Sequence, residues 1–299
     1  MEVIATGLAF PEGPVVMDDG SVILVEIQRG TLTRVSPSGD VDVIADLGGG
    51  PNGAALGPDG HCYVCNNGGF KWYTARDGRV FPGDQPDDYV SGSIQRVNLS
   101  TGAFDTIYDQ CEGEPLKGPN DLVFDRDGGF WFTDHGKARP RDRDRTGVFY
   151  AKPDGSMIRE AIFPLEGPNG IGLSPDERML YVAETPTGRV WAYPLSSPGE
   201  IDTSQPRVML AQRPDYHMFD SLAVDAEGNV CVATLITGGI SIHSPDGQKV
   251  EFIETPDVLT TNIAFGGTDL ETAFITLSST GQLIKTAWPT PGLRLNFSA

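Results

Sequence analysis

A pattern of polar and apolar positions recurs six times along the chain. Each copy has a polar residue, a short apolar run, a turn rich in Gly and Asp, and a second apolar run. The third copy, GPNDLVFDRDGGFWFTD (118–134), predicts two short strands joined by a hairpin. The other copies are FPEGPVVMDDGSVILVE (10–26), GPNGAALGPDGHCYVCN (50–66), GPNGIGLSPDERMLYVAE (167–184), FDSLAVDAEGNVCVAT (219–234) and TNIAFGGTDLETAFIT (261–276).

Further strands lie between the copies, as in GTLTRVSPSGDVDVIADL (30–47) and GSIQRVNLSTGAFDTIYDQ (92–110). Each unit therefore holds about four strands in roughly 40–50 residues, which is the period of a β-propeller blade. Six units account for nearly all of the 299 residues. The pattern predicts an all-β protein with a single domain, residues 1–299, folded as a six-bladed β-propeller.

The two ends of the chain predict how the ring closes. After the sixth copy only GQLIKTAW (281–288) remains as a clear strand, and the N-terminal segment EVIATGL (2–8) has no partner of its own. We expect the N-terminal segment to form the outer strand of the last blade, because a closed ring leaves only short, protected edges.

One unit carries an insertion, residues 70–89, with the sequence FKWYTARDGRVFPGDQPDDY. It is rich in aromatic residues and lacks clear strand periodicity. An insertion of this length is either a functional lid or a flexible loop.

Composition and charge narrow the possible partners. The 37 Gly and 23 Pro suit many turns, and the net charge of −19 makes nucleic acid and anionic membranes poor partners. The chain has no 18-residue apolar run and begins without a basic segment or a long apolar core. We therefore expect a cytoplasmic protein whose acidic surface serves solubility.

The four cysteines do not predict a zinc site. Cys62 and Cys65 have a zinc-like spacing, but they lie in a predicted strand, where their side chains point to opposite faces. No second Cys or His pair follows at zinc spacing. We expect buried, reduced thiols.

The polar residues that begin the six copies predict a cation site. In a propeller the first strand of each blade lines the central channel, so these residues should converge at one mouth. Carboxylate and amide oxygens suit Ca²⁺, Mg²⁺ or Mn²⁺, whereas a lone Asn in such a place would indicate only local turn bonding. The ends of the second strands should rim the same mouth, placing Glu26, Asn66, Asn67, Asp134, His135, Glu184 and Thr234 near it. The six starting residues are Glu12, Asn52, Asn120, Asn169, Asp220 and Asn262.

The motifs FPEGPV, GPND, GPNG and FDSLAVDAEGNVCVAT resemble those of the SMP-30/gluconolactonase/luciferin-regenerating-enzyme family of six-bladed propellers. The resemblance implies hydrolysis of a lactone, commonly of a sugar acid, at one divalent metal ion in the channel. Ca²⁺ is the first expectation, with Mn²⁺, Mg²⁺, Zn²⁺ or Fe²⁺ as alternatives. The implied metal site is formed by Glu12, Asn169 and Asp220, with Asn120 beside the metal or bound to it.

The chemistry of lactone opening suits these residues. Asp220 is the candidate general base, and Asn120 could donate its amide N–H to developing negative charge. The candidate substrate contacts are Asn52, Asn66, His135 and His217. One branch of the family, the vertebrate-type sugar lactonases, carries an Arg two residues before the third-blade Asn, where this chain has Gly118.

Two alternatives remain open from the sequence. Phosphotriesterases and arylesterases use a similar ring of ligands on the same scaffold, so the ring does not exclude them. A non-enzymatic interaction platform is the alternative from a different class. The sequence does not specify which lactone is the substrate or the oligomeric state.

Overall fold

The computed structural model describes residues 1–212 and 217–298, and its regular structure there consists of strands. In this part of the chain, no helix is long and apolar enough to span a membrane. The strands, numbered in chain order, are β1 (Glu2–Thr6), β2 (Pro11–Val16), β3 (Val22–Glu26), β4 (Thr31–Val35), β5 (Val41–Asp46), β6 (Pro51–Leu56), β7 (Cys62–Asn66), β8 (Trp72–Thr74), β9 (Val80–Pro82), β10 (Ser93–Val97), β11 (Phe104–Tyr108), β12 (Gln110–Cys111), β13 (Glu114–Pro115), β14 (Pro119–Phe124), β15 (Phe130–Asp134), β16 (Ala138–Arg139), β17 (Asp142–Arg143), β18 (Thr146–Ala151), β19 (Ile158–Leu165), β20 (Pro168–Leu173), β21 (Met179–Glu184), β22 (Arg189–Ser197), β23 (Glu200–Ile201), β24 (Val208–Gln212), β25 (Met218–Val224), β26 (Val230–Leu235), β27 (Gly239–His243), β28 (Val250–Glu254), β29 (Thr260–Gly266), β30 (Thr272–Leu277) and β31 (Gln282–Ala287).

The strands form six antiparallel sheets that are the blades of a propeller. Blade 1 is β2–β5, blade 2 is β6, β7, β10 and β11, and blade 3 is β14, β15, β18 and β19. Blade 4 is β20–β24, blade 5 is β25–β28, and blade 6 is β29–β31 with β1. The first strands β2, β6, β14, β20, β25 and β29 are neighbours in that order, and β29 lies beside β2 again. The predicted six-bladed all-β fold is confirmed.

The N-terminal strand closes the ring. β1 pairs antiparallel with β31, with Glu2 opposite Lys285 and Val3 opposite Ile284. The amide of Leu8 extends this pairing by donating to the carbonyl of Gly281 at 3.0 Å. Blade 6 is thus built from both ends of the chain, as the leftover strands predicted.

The core lies between neighbouring blades. Between blades 2 and 3, the ring centroids of Tyr63 and Phe124 are 5.1 Å apart and those of Phe124 and Phe130 are 5.2 Å apart. Fully burying such side chains contributes about 2–3 kcal/mol each. The four cysteines are also buried and carry free thiols. The alternation of apolar and polar positions therefore gives each blade two buried faces, and these faces hold the blades together.

A register irregularity interrupts the first strand of every blade near its polar starting residue. In blade 1 it falls between Glu12 and Val15, and in blade 3 between Pro119 and Leu122. The other four blades show the same feature at the same place. Such irregularities redirect side chains and end regular pairing, so simple alternation does not hold at the channel mouth.

The insertion at 70–89 is ordered and connects several blades. It contains the hairpin β8–β9, whose Val80 amide donates to the Ser279 carbonyl of blade 6 at 2.9 Å. Trp72 packs on Phe10 of blade 1, with ring centroids 5.0 Å apart. The Tyr89 hydroxyl donates to the Lys117 carbonyl at the start of blade 3 at 2.5 Å. These contacts hold the insertion against the blades, which argues against the flexible-loop alternative.

The C-terminal segment crosses the opposite end of the channel. Leu293 donates its amide to the Val224 carbonyl at 3.0 Å, and Asn296 donates its side-chain amide to the Phe124 carbonyl at 3.2 Å. Between this segment and the mouth lies a cavity of about 660 Å³, lined largely by apolar residues of the first strands. The polar mouth is therefore the end of the channel that carries candidate chemistry.

Candidate active site

The six starting residues all lie at one mouth of the channel, each the second or third residue of the first strand of its blade. Glu12 is held tightly: its Oε2 accepts the amide of Gly13 at 2.6 Å and the side-chain amide of Asn262 at 2.7 Å. This last bond joins blade 1 to blade 6. Glu12 therefore has one carboxylate oxygen fixed by the protein while Oε1 remains available.

Asn120 contributes a buried acceptor with no donor. Its Oδ1 is excluded from solvent and has no hydrogen-bond partner among the described residues. A buried polar atom without a partner destabilises a protein by about 1–3 kcal/mol, so such an atom usually bonds to a water molecule or a bound ligand. Asn52, the corresponding residue of blade 2, is also buried.

Asn169 and Asp220 form the opposite side of the site. Asn169 donates its Nδ2 to the Thr185 hydroxyl at 3.1 Å, and its side chain lies beside the Asp220 carboxyl. Regular alternation along β25 would point Ser221 to the face opposite Asp220. Its hydroxyl instead lies 3.4 Å from Asn169 Oδ1, because the irregularity in β25 breaks alternation there.

Asp121 is a third channel carboxyl group that the sequence reasoning did not assign. It is buried beside Ser221, and its Oδ1 accepts the amide of Leu122 at 2.9 Å. The sequence does contain a signal for it. The third copy reads GPND, whereas the second and fourth copies read GPNG.

The electrostatics of the mouth favour a cation. Burial raises the pKa of Glu12 well above its ordinary value, and the carboxyl of Asp220 raises it further. Burial also raises the pKa of Asp220 to about 7 and that of Asp121 to about 7. A nearby positive charge would relieve this repulsion. The site thus combines buried acidic groups with an unbonded amide oxygen.

The donor set fits a hard cation with mixed ligands. Among the described residues, no group of three or more His, Cys, Asp and Glu side chains is arranged to hold a metal ion. A site here must therefore combine the two carboxylates of Glu12 and Asp220 with amide oxygens. Oxygen-only sets of this kind suit Ca²⁺, Mg²⁺ or Mn²⁺ better than metals that seek thiolates.

Most polar residues at the ends of the second strands hold backbone loops in place. Asp134 accepts the amides of Lys117 and Gly118, both at 2.7 Å, just before Asn120. In the same way Glu26 accepts the amide of Ala9, and Glu184 accepts the amide of Glu166. Each of these three carboxylates fixes the segment that leads into the first strand of its blade. We call Asp134, Glu26 and Glu184 bracket residues. The Thr234 hydroxyl instead bonds within its own blade.

Asn66 is the bracket residue of blade 2. It had been predicted to contact the substrate, but its side chain bonds to the protein instead. Its Oδ1 accepts the amides of Gly50 and Gly68, at 2.9 and 3.0 Å. Its Nδ2 donates to the carbonyl of Gly48 and to Gln95 Oε1, both at 3.0 Å. These four bonds use the whole amide, so no polar atom of Asn66 is left for a ligand.

The two predicted histidines differ in their surroundings. His135 donates its backbone amide to Gly118 at 2.8 Å, which places it beside the segment leading to Asn120. Burial, together with the charges of Arg143 and Lys137, lowers the pKa of His135 to about 3, so its ring is neutral at ordinary pH.

His217 is buried, with Nδ1 3.0 Å from the Thr237 hydroxyl. The preceding residues 213–216 lie outside the described part of the chain.

Two basic side chains near the mouth were not singled out from the sequence. Lys137 is buried and donates to Asn67 Oδ1 at 3.0 Å and to the Gly69 carbonyl at 2.7 Å. Its Nζ also lies 4.4 Å from the ring centroid of Phe70, in the insertion. Arg143 lies beside His135. Both belong to a stretch rich in charges, DHGKARPRDRDR, that has no blade periodicity to guide its placement.

Fold and site together define a propeller whose channel mouth carries a ring of carboxylate and amide groups. The SMP-30/Gluconolactonase/LRE-like family model matches residues 10–279. The chain belongs to this family, as its motifs predicted.

Individual relatives agree with this assignment. A gluconolactonase of Zymomonas mobilis is 29% identical, and the match covers 93% of this chain and 79% of that protein. A diisopropyl-fluorophosphatase of Loligo vulgaris is 29% identical over 66% of each chain. The crystal structure of regucalcin, a calcium-binding protein from Agrobacterium tumefaciens, superimposes with a TM-score of 0.78 at 18% identity, covering 100% of this chain and 97% of that one.

Proposed function

We propose that this protein is a metal-dependent lactonase that opens the lactone of a sugar acid or a related hydroxy acid. The observation that carries the proposal is the buried, unbonded Oδ1 of Asn120 in a mouth that also holds Glu12 and Asp220. The relatives named gluconolactonase and lactonase support the substrate class. In this proposal Glu12, Asn120, Asn169 and Asp220 hold one divalent cation, with Ca²⁺ the first candidate.

The residues of the mouth would divide the work of ester hydrolysis. A bound divalent cation supplies polarisation of the lactone carbonyl and acidification of a water molecule. Asp220, the aspartate among the six starting residues, accepts the proton of the attacking water as general base. It then returns the proton to the ring oxygen as the acyl–oxygen bond breaks. The Nδ2 of Asn120 donates to the oxygen on which negative charge develops.

Glu12 is better suited to holding the cation than to moving protons. One of its oxygens already accepts two hydrogen bonds, from Gly13 and Asn262, which fix the orientation of the carboxylate. A carboxylate with a fixed orientation can bind a cation well, but it cannot turn to carry a proton from one atom to another. Asn52 and His135 remain candidate substrate contacts at the rim, and a cytoplasmic location remains a prediction.

The diisopropyl-fluorophosphatase relative supports a second candidate, hydrolysis of phosphotriesters or aryl esters at the same site. The two activities differ in the substrate that the pocket admits, since both use the same kind of ring. A direct comparison of substrates separates them.

The test is a hydrolysis screen on protein stripped of metal with a chelator. Aliphatic and sugar-acid lactones, aryl esters and a fluorophosphate are each assayed with Ca²⁺, Mn²⁺, Mg²⁺, Zn²⁺ or Fe²⁺ added back. We expect cation-dependent lactone opening that Asp220→Asn abolishes and that the control Asp142→Asn preserves, because the side chain of Asp142 is 63% exposed on a rim hairpin. Turnover of fluorophosphate or aryl ester alone would favour the second candidate. A folded protein that binds cations yet hydrolyses none of these compounds would favour an interaction platform.

A further inference from the structure

Arg143 lies at the mouth between the segments that carry two of the candidate ligands. It ends the hairpin β16–β17, which connects the second and third strands of blade 3. Its guanidinium NH2 is 3.4 Å from His135 Nε2 and 3.4 Å from the His135 carbonyl. His135 in turn bonds to Gly118, two residues before Asn120.

The same end of the guanidinium also lies beside Gly167, two residues before Asn169. Gly167 has a φ of +57°, and a Cβ at this position would overlap the guanidinium group of Arg143. The glycine therefore leaves the space that the arginine occupies. Arg143 is thus held beside two Gly-Pro-Asn segments at once, those of blades 3 and 4.

The charge of Arg143 is not neutralised within the described chain. Of the arginines around it, Arg139 contacts Asp144 at 2.8 Å and Arg145 contacts Glu166 at 3.2 Å, whereas Arg141 is exposed and forms no ion pair among the described residues. Arg143 has no carboxylate within 4.0 Å among the described residues, and its Nε is buried without a hydrogen-bond partner. The positive charge of Arg143 is therefore available to an anionic group of a ligand.

We propose that Arg143 is a specificity-determining residue that binds a second carboxylate on the substrate, so that the preferred lactone is derived from a diacid. This inference rests on the proposed lactonase function and names its substrate class. A guanidinium binds a carboxylate through two parallel hydrogen bonds and discriminates strongly against a neutral group in the same place. The neutral ring of His135 lies beside it as a further hydrogen-bonding group.

The chain places Arg143 near the ring of ligands. The guanidinium lies beside Gly167, and the Cα atoms of Gly167 and Asn169 are at most about 7 Å apart. A six-carbon acid spans a similar length. One end of such a molecule can therefore react at the ring of ligands while the other end reaches Arg143.

The experiment compares two lactones that differ only in the second acidic group. These are the γ-lactone of gluconic acid and the γ-lactone of glucaric acid closed through the same carboxyl group. We expect the wild type to prefer the glucaric lactone, and Arg143→Gln to lower the ratio of the two kcat/KM values about tenfold, mainly through KM. Arg143→Lys should retain part of the preference. Arg145→Gln is the matched control, because Arg145 pairs with Glu166, and it should leave the ratio unchanged.

Calorimetric titration with the open-chain products tests Arg143 without requiring turnover. Glucarate should bind the cation-loaded wild type more tightly than gluconate, and Arg143→Gln should remove the difference. Equal binding of the two acids, or an unchanged kcat/KM ratio in Arg143→Gln, would overturn the inference while leaving the lactonase proposal standing. If neither these two lactones nor any lactone of the wider screen is hydrolysed with any of the cations, the lactonase proposal itself fails.

Discussion

Asn66 and Asn120 are buried asparagines at the same mouth, yet their amides are in opposite hydrogen-bonding states. Asn66 makes four hydrogen bonds, and Asn120 leaves its Oδ1 without a donor in the described chain. The first arrangement stabilises the fold, whereas the second destabilises it unless a ligand is present. Because the two hydrogen-bonding states have opposite effects on stability, measurements of the free energy of unfolding can distinguish the structural role of Asn66 from a ligand-binding role of Asn120.

We predict that replacing each asparagine by leucine has opposite effects on the cation-free protein. Asn66→Leu should lower the free energy of unfolding by about 2–4 kcal/mol, because it leaves several buried partners unsatisfied. Asn120→Leu should be neutral or stabilising, since it removes an unbonded polar atom. It should also weaken the stabilisation by added Ca²⁺, which for the wild type is about 2.7 kcal/mol at a hundredfold excess over Kd. Denaturant titrations with and without Ca²⁺ measure both effects. A large loss of stability in cation-free Asn120→Leu would contradict the ligand role.

Lys137 provides a prediction for the pH dependence of stability. Burial lowers its pKa from 10.5 to about 7 in the folded protein. As the pH rises from about 7 to 10.5, the unfolded chain keeps this proton while the folded chain has released it. The unfolded state then binds more protons, so this group makes stability increase with pH in that range.

The measurement compares the wild type with Lys137→Met. The difference in free energy of unfolding, wild type minus variant, should rise between pH 7 and 10, with a slope that cannot exceed about 1.4 kcal/mol per pH unit for one proton. Lys71→Met is a suitable control, because Lys71 is half-exposed and pairs with Asp87. A difference that stays constant with pH would show that Lys137 remains protonated in the folded state.

At the scale of the strand, the bracket residues connect the second strand of a blade to the start of its first strand. In blade 3 the carboxylate of Asp134 accepts three backbone amides, those of Lys117, Gly118 and Gly136. The first two lie just before Asn120. The bracket therefore fixes the position of a candidate ligand through the backbone and has no need to touch the ligand itself.

We predict that Asp134→Ala lowers the free energy of unfolding by about 3 kcal/mol or more, because three backbone N–H groups, two of them buried, lose their acceptor. It should also lower cation affinity through the displaced loop. Asp134→Asn keeps one acceptor oxygen and should have a smaller effect on both. The exposed Asp142→Ala serves as the control. If Asp134→Ala loses stability but binds Ca²⁺ as tightly as the wild type, the bracket does not position Asn120.

The same elements show how far the sequence determines the site. Repetition located the first strand of every blade, because apolar runs and turns recur at a fixed period. It could not assign Asp121 or Ser221, since the local irregularity redirects side chains that alternation sends elsewhere. Nor could it separate Asn66 from Asn120, because hydrogen-bond satisfaction depends on loops distant in sequence. The sequence did not predict a role for Arg143, because this residue lies on the hairpin β16–β17, outside the repeated pattern.

At the scale of the molecule, ring closure makes stability depend on contacts between residues near the two ends of the chain. β1 contributes Ala5 to a cluster with Leu24, Phe274 and Leu283, which come from blades 1 and 6. Ala5 is 4% exposed, whereas Val3 on the same strand is 51% exposed. A register shift between Val3 and Ala5 pairs them with the adjacent residues Ile284 and Leu283, so the two side chains face opposite sides of the sheet.

We predict that Ala5→Asp lowers the free energy of unfolding by about 3 kcal/mol or more, since it buries a charge without a partner. Val3→Asp should change it by less than about 0.5 kcal/mol. Because β1 is the only strand of its blade contributed by the N-terminal segment, the amides of Leu283 and Ile284 should exchange with solvent faster in Ala5→Asp. Equal stability of the two variants would mean that β1 frays without opening the ring. A large loss for Ala5→Asp together with faster exchange in β31 would show that the propeller is held closed by the pairing of its two ends.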